Sequence, residues 1–161
     1  MVQWSEFASA APSLAAVVHD LLHQYGPGLG YLATVRADGG PRVHPVSPVV
    51  HEGRLYCFIV RSPKRDDLER DGRYALHTFP SDRSEDDAYL AGRASRVVDP
   101  GLVARLGAAM RAAPSVDWWL FELTVEVAVA VHHSGTPAAS REVWRAPPGV
   151  QSRPRAVDSV Q

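Results

Sequence analysis

The first regular pattern of apolar positions is helical. Leu14, Val17, Val18, Leu21, Leu22 and Tyr25 recur every three or four residues, and Gly26 ends the run, so a helix is predicted over about 12–24. Short apolar and β-branched runs follow at 30–36, 42–50 and 54–60. Asp38-Gly39 and Glu52-Gly53 separate them, and both are tight-turn signals. Links this brief predict an antiparallel meander, because parallel strands need a long crossover. A short helix over about 63–70 comes next, closed by Asp71-Gly72. Residues 73–79 read as a strand, and 80–87 as a polar, acidic, mobile loop. Residues 88–98 return as a strand in which Gly92 marks a bulge. Asp99 and Pro100 open a helix with Leu102, Val103, Leu106 and Met110 on one face. Residues 118–132 are rich in β-branched and aromatic types and predict one long strand, with a short last strand at 142–145. About six strands and a few short helices predict a mainly β, α+β fold built on a small antiparallel barrel.

Two segments break the rules of their own elements. The second strand, R-V-H-P-V-S-P-V-V, holds Pro45 and Pro48. Proline cannot donate to a ladder, so this strand is an edge or is bent. It either guards against aggregation or leaves backbone groups for a ligand. The second segment is R-S-P-K-R-D-D-L from Arg61. Ser62 suits an N-cap and Pro63 the first helical position. Arg61, Lys64 and Arg65 carry the wrong charge for a helix start, whose exposed N–H groups favour anions. The segment is either a solvated basic turn or a phosphate cradle.

Composition narrows the classes. The 161 residues, 45% of them hydrophobic and 22% charged, fit a single soluble domain over 1–145, and a disordered tail is expected over 146–161. A net charge of −1 argues against a nucleic-acid surface. No run is apolar enough to span a membrane, and no signal peptide is evident, so a cytoplasmic location is expected. Cys57, the one cysteine, reads as a small core residue. His19 and His23 are four apart on a helix but lack an evident third ligand, so no metal site is expected. His132 and His133 read as surface residues, and His77 as a structural histidine with His44 as a candidate neighbour. Trp118, Trp119 and Trp144 read as core or interface aromatics, and Trp144 is also a candidate cover for a planar ring. No GxGxxG motif announces a separate dinucleotide domain.

Several motifs in order resemble one family. They are Y-L-A-T-V-R-A-D-G-G-P-R-V-H-P-V from Tyr31, G-R-L-Y-C-F-I from Gly53, S-P-K-R-D-D-L from Ser62, D-G-R-Y-A-L-H from Asp71 and A-Y-L-A-G-R-A-S-R-V-V-D from Ala88. Together they resemble the pyridoxamine 5′-phosphate oxidase-like proteins, which are flavin-binding split barrels. The resemblance is strong over 30–99 and weaker over the strand from Trp118. It implies a six-stranded antiparallel split β-barrel with short flanking helices. It also implies a homodimer that holds FMN, or the deazaflavin F420, at its interface. The family's phosphate-binding positions fall on Arg42, Arg61, Ser62 and Lys64, with Arg65 adjacent. The ring would lie along His44, Val46 and Ser47, and Ile59 and Val60 would sit near the phosphate end.

The family's C-terminal substrate signature, near F-W-Q-G and R-L-H, is missing, since R-E-V-W-R-A-P-P-G stands from Arg141. Pyridoxine phosphate oxidation is therefore not expected. The expected function is an FMN- or F420-dependent oxidoreductase acting on a small molecule. The alternative is a non-enzymatic binder of flavin or a tetrapyrrole-like ligand. Catalytic residues are not assigned, because hydride transfer is the cofactor's own chemistry.

Overall fold

The computed structural model describes residues 1–81, 84–109, 116–133 and 139–149. Two helices, α1 (Trp4–Ala10) and α2 (Pro12–His23), precede the first strand. Strands β1 (Gly30–Val35), β2 (Pro41–Val46), β3 (Pro48–His51) and β4 (Arg54–Val60) follow. Helix α3 (Pro63–Arg70) leads into β5 (Arg73–Thr78) and β6 (Asp87–Arg96). Helix α4 (Pro100–Ala109), β7 (Trp118–His132) and β8 (Ser140–Arg145) complete the order.

All strand pairs are antiparallel, in the order β2-β1-β5-β6-β7-β4-β3 with β8 on β7. The long strand β7 makes this possible. One edge pairs with β6, while the other carries β4 on residues 118–123 and β8 on residues 127–132. Eight strands stand where about six were expected. The short last strand expected at 142–145 is present as β8, and the second strand is two strands.

That division has a physical reason. The meander expected over 30–60 exists only as two hairpins. β2 pairs with β1, whereas β3 pairs with β4. Only Ser47 lies between β2 and β3, yet they occupy opposite ends of the strand order. The sheet therefore curls until its two ends meet at Ser47. Pro45 and Pro48 flank the corner and cannot donate to a continued ladder. Both strands are sheet edges, as the prolines implied.

The core lies inside this curl. Leu32, Leu55, Cys57, Ile59, Leu76, Leu90, Phe121 and Leu123 are fully or almost fully buried there with Leu14, Val18 and Leu22 of α2. Phe7 of α1 is buried too and packs on Trp4 and Trp144. Helix α1 was not legible, since its seven residues are too few to show a period. A second cluster under α4 joins Leu102 and Leu106 to Tyr56 and Leu120. The bulge expected at Gly92 is present, as a register shift between Ala91 and Gly92. Met110, residues 82–83 of the acidic loop and residues 150–161 of the expected tail lie outside the described residues.

Candidate functional site

The corner at Ser47 gathers the residues singled out in the sequence. Alternation along β2 turns Arg42, His44 and Val46 to the side of their partners Thr34, Leu32 and Gly30. Val43 and Pro45 face outward and are exposed. Val46 is buried, Arg42 and His44 are half-buried, and Ser47 is exposed at the corner. On β4, Cys57 and Ile59 are buried on the core side, and Val60 is exposed at the strand end. The Cys57 thiol points to the Ser47 carbonyl, Sγ to O 3.9 Å. Burial pushes its pKa up to about 12, against the opposing pull of Lys64 and of the Ser47 bond. This thiol is an inert core group.

Helix α3 starts where β4 ends. Ser62 takes the N-cap position, but its hydroxyl donates to the Val60 carbonyl at 2.8 Å and caps no helical N–H. The hydroxyl follows the strand and leaves the helix end open to an anion. The Arg61 backbone N–H donates to the Asp117 carbonyl, which fixes the joint. The Arg61 and Lys64 side chains make no hydrogen bond or ion pair among the described residues. Arg61 is exposed and Lys64 half-buried.

Arg65 behaves differently. It is buried, its Nη1 donates to Asp117 Oδ1 at 2.9 Å, and its guanidinium lies 4.1 Å from the Trp119 ring centre. Arg96 sits over the same ring at 3.5 Å. Arg65 thus ties α3 to Asp117 and β7.

The sequence reading missed Asp67. It is 4% exposed and is the hub of the region. Its Oδ2 accepts from Thr34 Oγ1 at 2.9 Å and from Arg42 Nε at 2.8 Å, and its Oδ1 accepts from Arg70 Nη2 at 3.2 Å. Burial opposes ionisation, but the bonds from Arg42, Thr34 and Arg70 prevail and hold the carboxyl below its ordinary range. Beside this hub an open groove of about 350 Å³ is lined by Arg36, Ala37, Asp38, Arg42, Pro63, Asp66, Asp67 and Arg70. The groove takes in both Arg42 of β2 and Pro63, the first residue of α3. The only sequence signal for Asp67 was an Asp-Asp pair whose second member falls on the buried side of a short helix.

The histidines divide. His44 and His77 are not neighbours, because β1 lies between their strands. His44 is opposite Leu32 and His77 opposite Tyr31, so they point to opposite faces. His19 and His23 stack at 4.3 Å, and His23 Nδ1 contacts the His19 carbonyl. No set of three His, Cys, Asp or Glu side chains suited to a metal ion occurs among the described residues. Trp144 packs on Phe7, away from the corner.

The far end of the acidic loop is fastened. Asp86 accepts from the His133 N–H at 2.8 Å and meets His132 Nδ1 at 3.2 Å. Asp87 lies 3.6 Å from His77 Nε2 and 4.0 Å from His133 Nε2. The bonds from His133 and His132 hold the Asp86 carboxyl below its ordinary range. A depressed carboxyl pKa stabilises above the unfolded value, near 3.9, and the gain is lost as pH falls through the folded value. Protection of amides 86–88 from hydrogen exchange should therefore hold from pH 7 to about 4 and fall below that. Asp86→Asn should show the same loss at pH 7, and unchanged protection in that variant would show the fastening to be incidental.

Comparison with solved structures identifies the architecture. A heme binding protein from Mycobacterium smegmatis superposes with TM-score 0.62 at 21% identity, over 81% of this chain and 57% of that one. This chain thus spans little more than half of that protein's length. A Clostridium acetobutylicum protein of the pyridoxinephosphate oxidase family, related to general stress protein 26, superposes with TM-score 0.60 at 13% identity, over 88% of this chain and 95% of that one. An F420 reductase superposes with TM-score 0.52 at 18% identity, over 63% and 89%. No family model matches the sequence, and no curated protein does. The chain has the split-barrel fold of the pyridoxamine 5′-phosphate oxidase-like proteins. Solved proteins of this architecture include an F420 reductase and a heme binding protein. No helix among the described residues is long and apolar enough to cross a membrane.

Proposed function

We propose that this chain is an oxidoreductase that uses FMN, or alternatively F420, and acts on a small molecule at a homodimer interface. The observation that carries the proposal is the start of α3. Arg61 and Lys64, without partners among the described residues, flank an uncapped helix end, and the oriented Arg42 shares a groove with Pro63, the first residue of that helix, so an anionic ligand group would complement this end of the molecule. Arg42, Arg61, Ser62 and Lys64 hold the phosphate. His44, Val46 and Ser47 on the bent edge meet the ring, with Ile59 and Val60 toward the phosphate end. Arg65 leaves the set, because Asp117 and Trp119 occupy it. A bound flavin or deazaflavin supplies the hydride or electron transfer, and the chain supplies binding and orientation.

The dimer rests on the outer face of the sheet. Residues opposite each other on antiparallel strands share a face. This places Val43, Ala33, Ala75 and Ala91 in one transverse row and Pro45, Tyr31, His77 and Tyr89 in the next. Val43 is 57% and Tyr31 37% exposed, and these rows carry only one ionisable side chain besides the tyrosines, His77. An apolar face of this kind suits a second copy. β2 carries the rows on one face and Arg42 and His44 on the other, and because β2 is a sheet edge, the shared site is placed at its free edge, where the two faces meet. Sedimentation should report a dimer at micromolar concentration, and Val43→Glu should shift it toward monomer. A wild-type monomer that binds cofactor tightly would reject the shared site.

The function is tested by the visible spectrum of the purified protein, then by titration with FMN, F420 and heme. Binding of FMN or F420, followed by turnover with NAD(P)H or reduced F420, is the expected result. Tight heme binding with no flavin binding would favour the non-enzymatic binder of a tetrapyrrole-like ligand, and flavin binding without turnover would reduce the protein to a carrier.

A further inference from the structure

We propose that Asp67 is a positioning residue that holds Arg42 by its Nε and leaves the two terminal guanidinium nitrogens for the cofactor phosphate. The proposal rests on the reading above, in which Arg42 binds that phosphate. A carboxylate and an arginine commonly pair through two parallel bonds, which use up the guanidinium edge. Here Asp67 takes only the Nε, at 2.8 Å. Thr34 shares the same carboxylate oxygen and Arg70 occupies the other. The Arg42 terminal nitrogens make no hydrogen bond among the described residues. They sit on a side chain only 28% exposed, at the wall of the groove next to Pro63. A long side chain otherwise loses rotamer freedom when it binds a ligand, and an arginine already held loses less. Thr34 on β1 and Arg70, which also bonds the Val35 carbonyl, keep the carboxylate from following Arg42 into solvent. The competing role is purely structural, since Asp67 joins α3 to β1 and β2.

The experiment is a double-mutant cycle read by binding. Asp67→Asn, Arg42→Ala and the double variant are titrated with FMN and with riboflavin, which has the ring but no phosphate. Asp67→Asn should weaken FMN by about ten-fold, since the bond to Nε loses its charge assistance. Riboflavin should be unaffected, and Asp67→Asn should add nothing once Arg42 is alanine. Should Asp67→Asn fail to fold, Thr34→Val removes one donor to the same oxygen and should give a smaller loss with the same ligand contrast. Equal losses for both ligands, or a full loss that persists without Arg42, would make Asp67 a structural tie and overturn the proposal. A wild-type protein that binds neither FMN nor F420 would instead overturn the reading of the site, and the proposal with it.

Discussion

Lys64→Ala should weaken FMN or F420 by about 1.5–3 kcal/mol, the range for a hydrogen bond to a charged group, and leave riboflavin nearly unchanged. Arg61→Ala should act in the same direction. Its effect should be smaller, because its side chain is exposed and solvent screens the interaction. In the free protein both cations belong to the positive end of α3 and make no hydrogen bond or ion pair among the described residues, with Asp66 the acidic residue of that first turn. A phosphate removes that repulsion, so a phosphorylated cofactor should also raise the unfolding temperature, and riboflavin should raise it less. Titration of both variants with FMN, F420 and riboflavin at fixed salt separates phosphate from ring contacts. Equal losses for the phosphorylated and unphosphorylated ligands would show that the helix start is not the cradle. No loss would make it a solvated turn.

Much of the candidate site could be proposed from sequence because charge and cap rules are local. A Ser-Pro helix start that carries lysine and arginine conflicts with the dipole within four residues, and a single sequence shows that conflict. The bent edge strand was legible for the same reason, since each proline removes one donor. The strand exchange at Ser47 was not legible. Both halves of 42–50 have the same β pattern, and the choice between β1 and β4 as partner is set by closure of the whole sheet. Arg65 and Asp67 were illegible in a related way. Neighbouring positions on a short helix point in different directions, and only the packing of α3 sends Arg65 to Trp119 and Asp67 to Thr34 and Arg42. The His44–His77 pairing failed because strand order cannot be read from chain order, and β1 came between them.

Gly28→Ala should destabilise the protein by about 1–3 kcal/mol or more, the cost of forcing a methyl group into a packed site. A Cβ built at Gly28 lies 1.8 Å from the Pro48 carbonyl oxygen and 2.9 Å from its carbon. The obstacle is backbone, so no rotamer change relieves it. The 26–28 connector presses on the first residue of β3, the one that follows the Ser47 corner. To admit a methyl group, β3 must move away and carry Ser47 with it. For a domain of this size each kcal/mol is worth about 2–4 °C in unfolding temperature, so the loss should be plain in a thermal melt. Gly26→Ala is the control, because a Cβ there meets nothing within 4 Å and strain arises only from φ of +97°. Its cost should be about 1–2 kcal/mol, that of a left-handed residue. Its flavin affinity should match the wild type, because a Cβ there touches no part of β3. The Gly28 variant, measured at a temperature where it remains folded, should bind both FMN and riboflavin more weakly, because the corner proposed to meet the ring has shifted. That pattern is the reverse of the one expected for Lys64→Ala, which separates the two ligands. Wild-type affinity for both ligands in Gly28→Ala would remove Ser47 from the ring site, and a wild-type melting temperature would show that the corner is not tightly held.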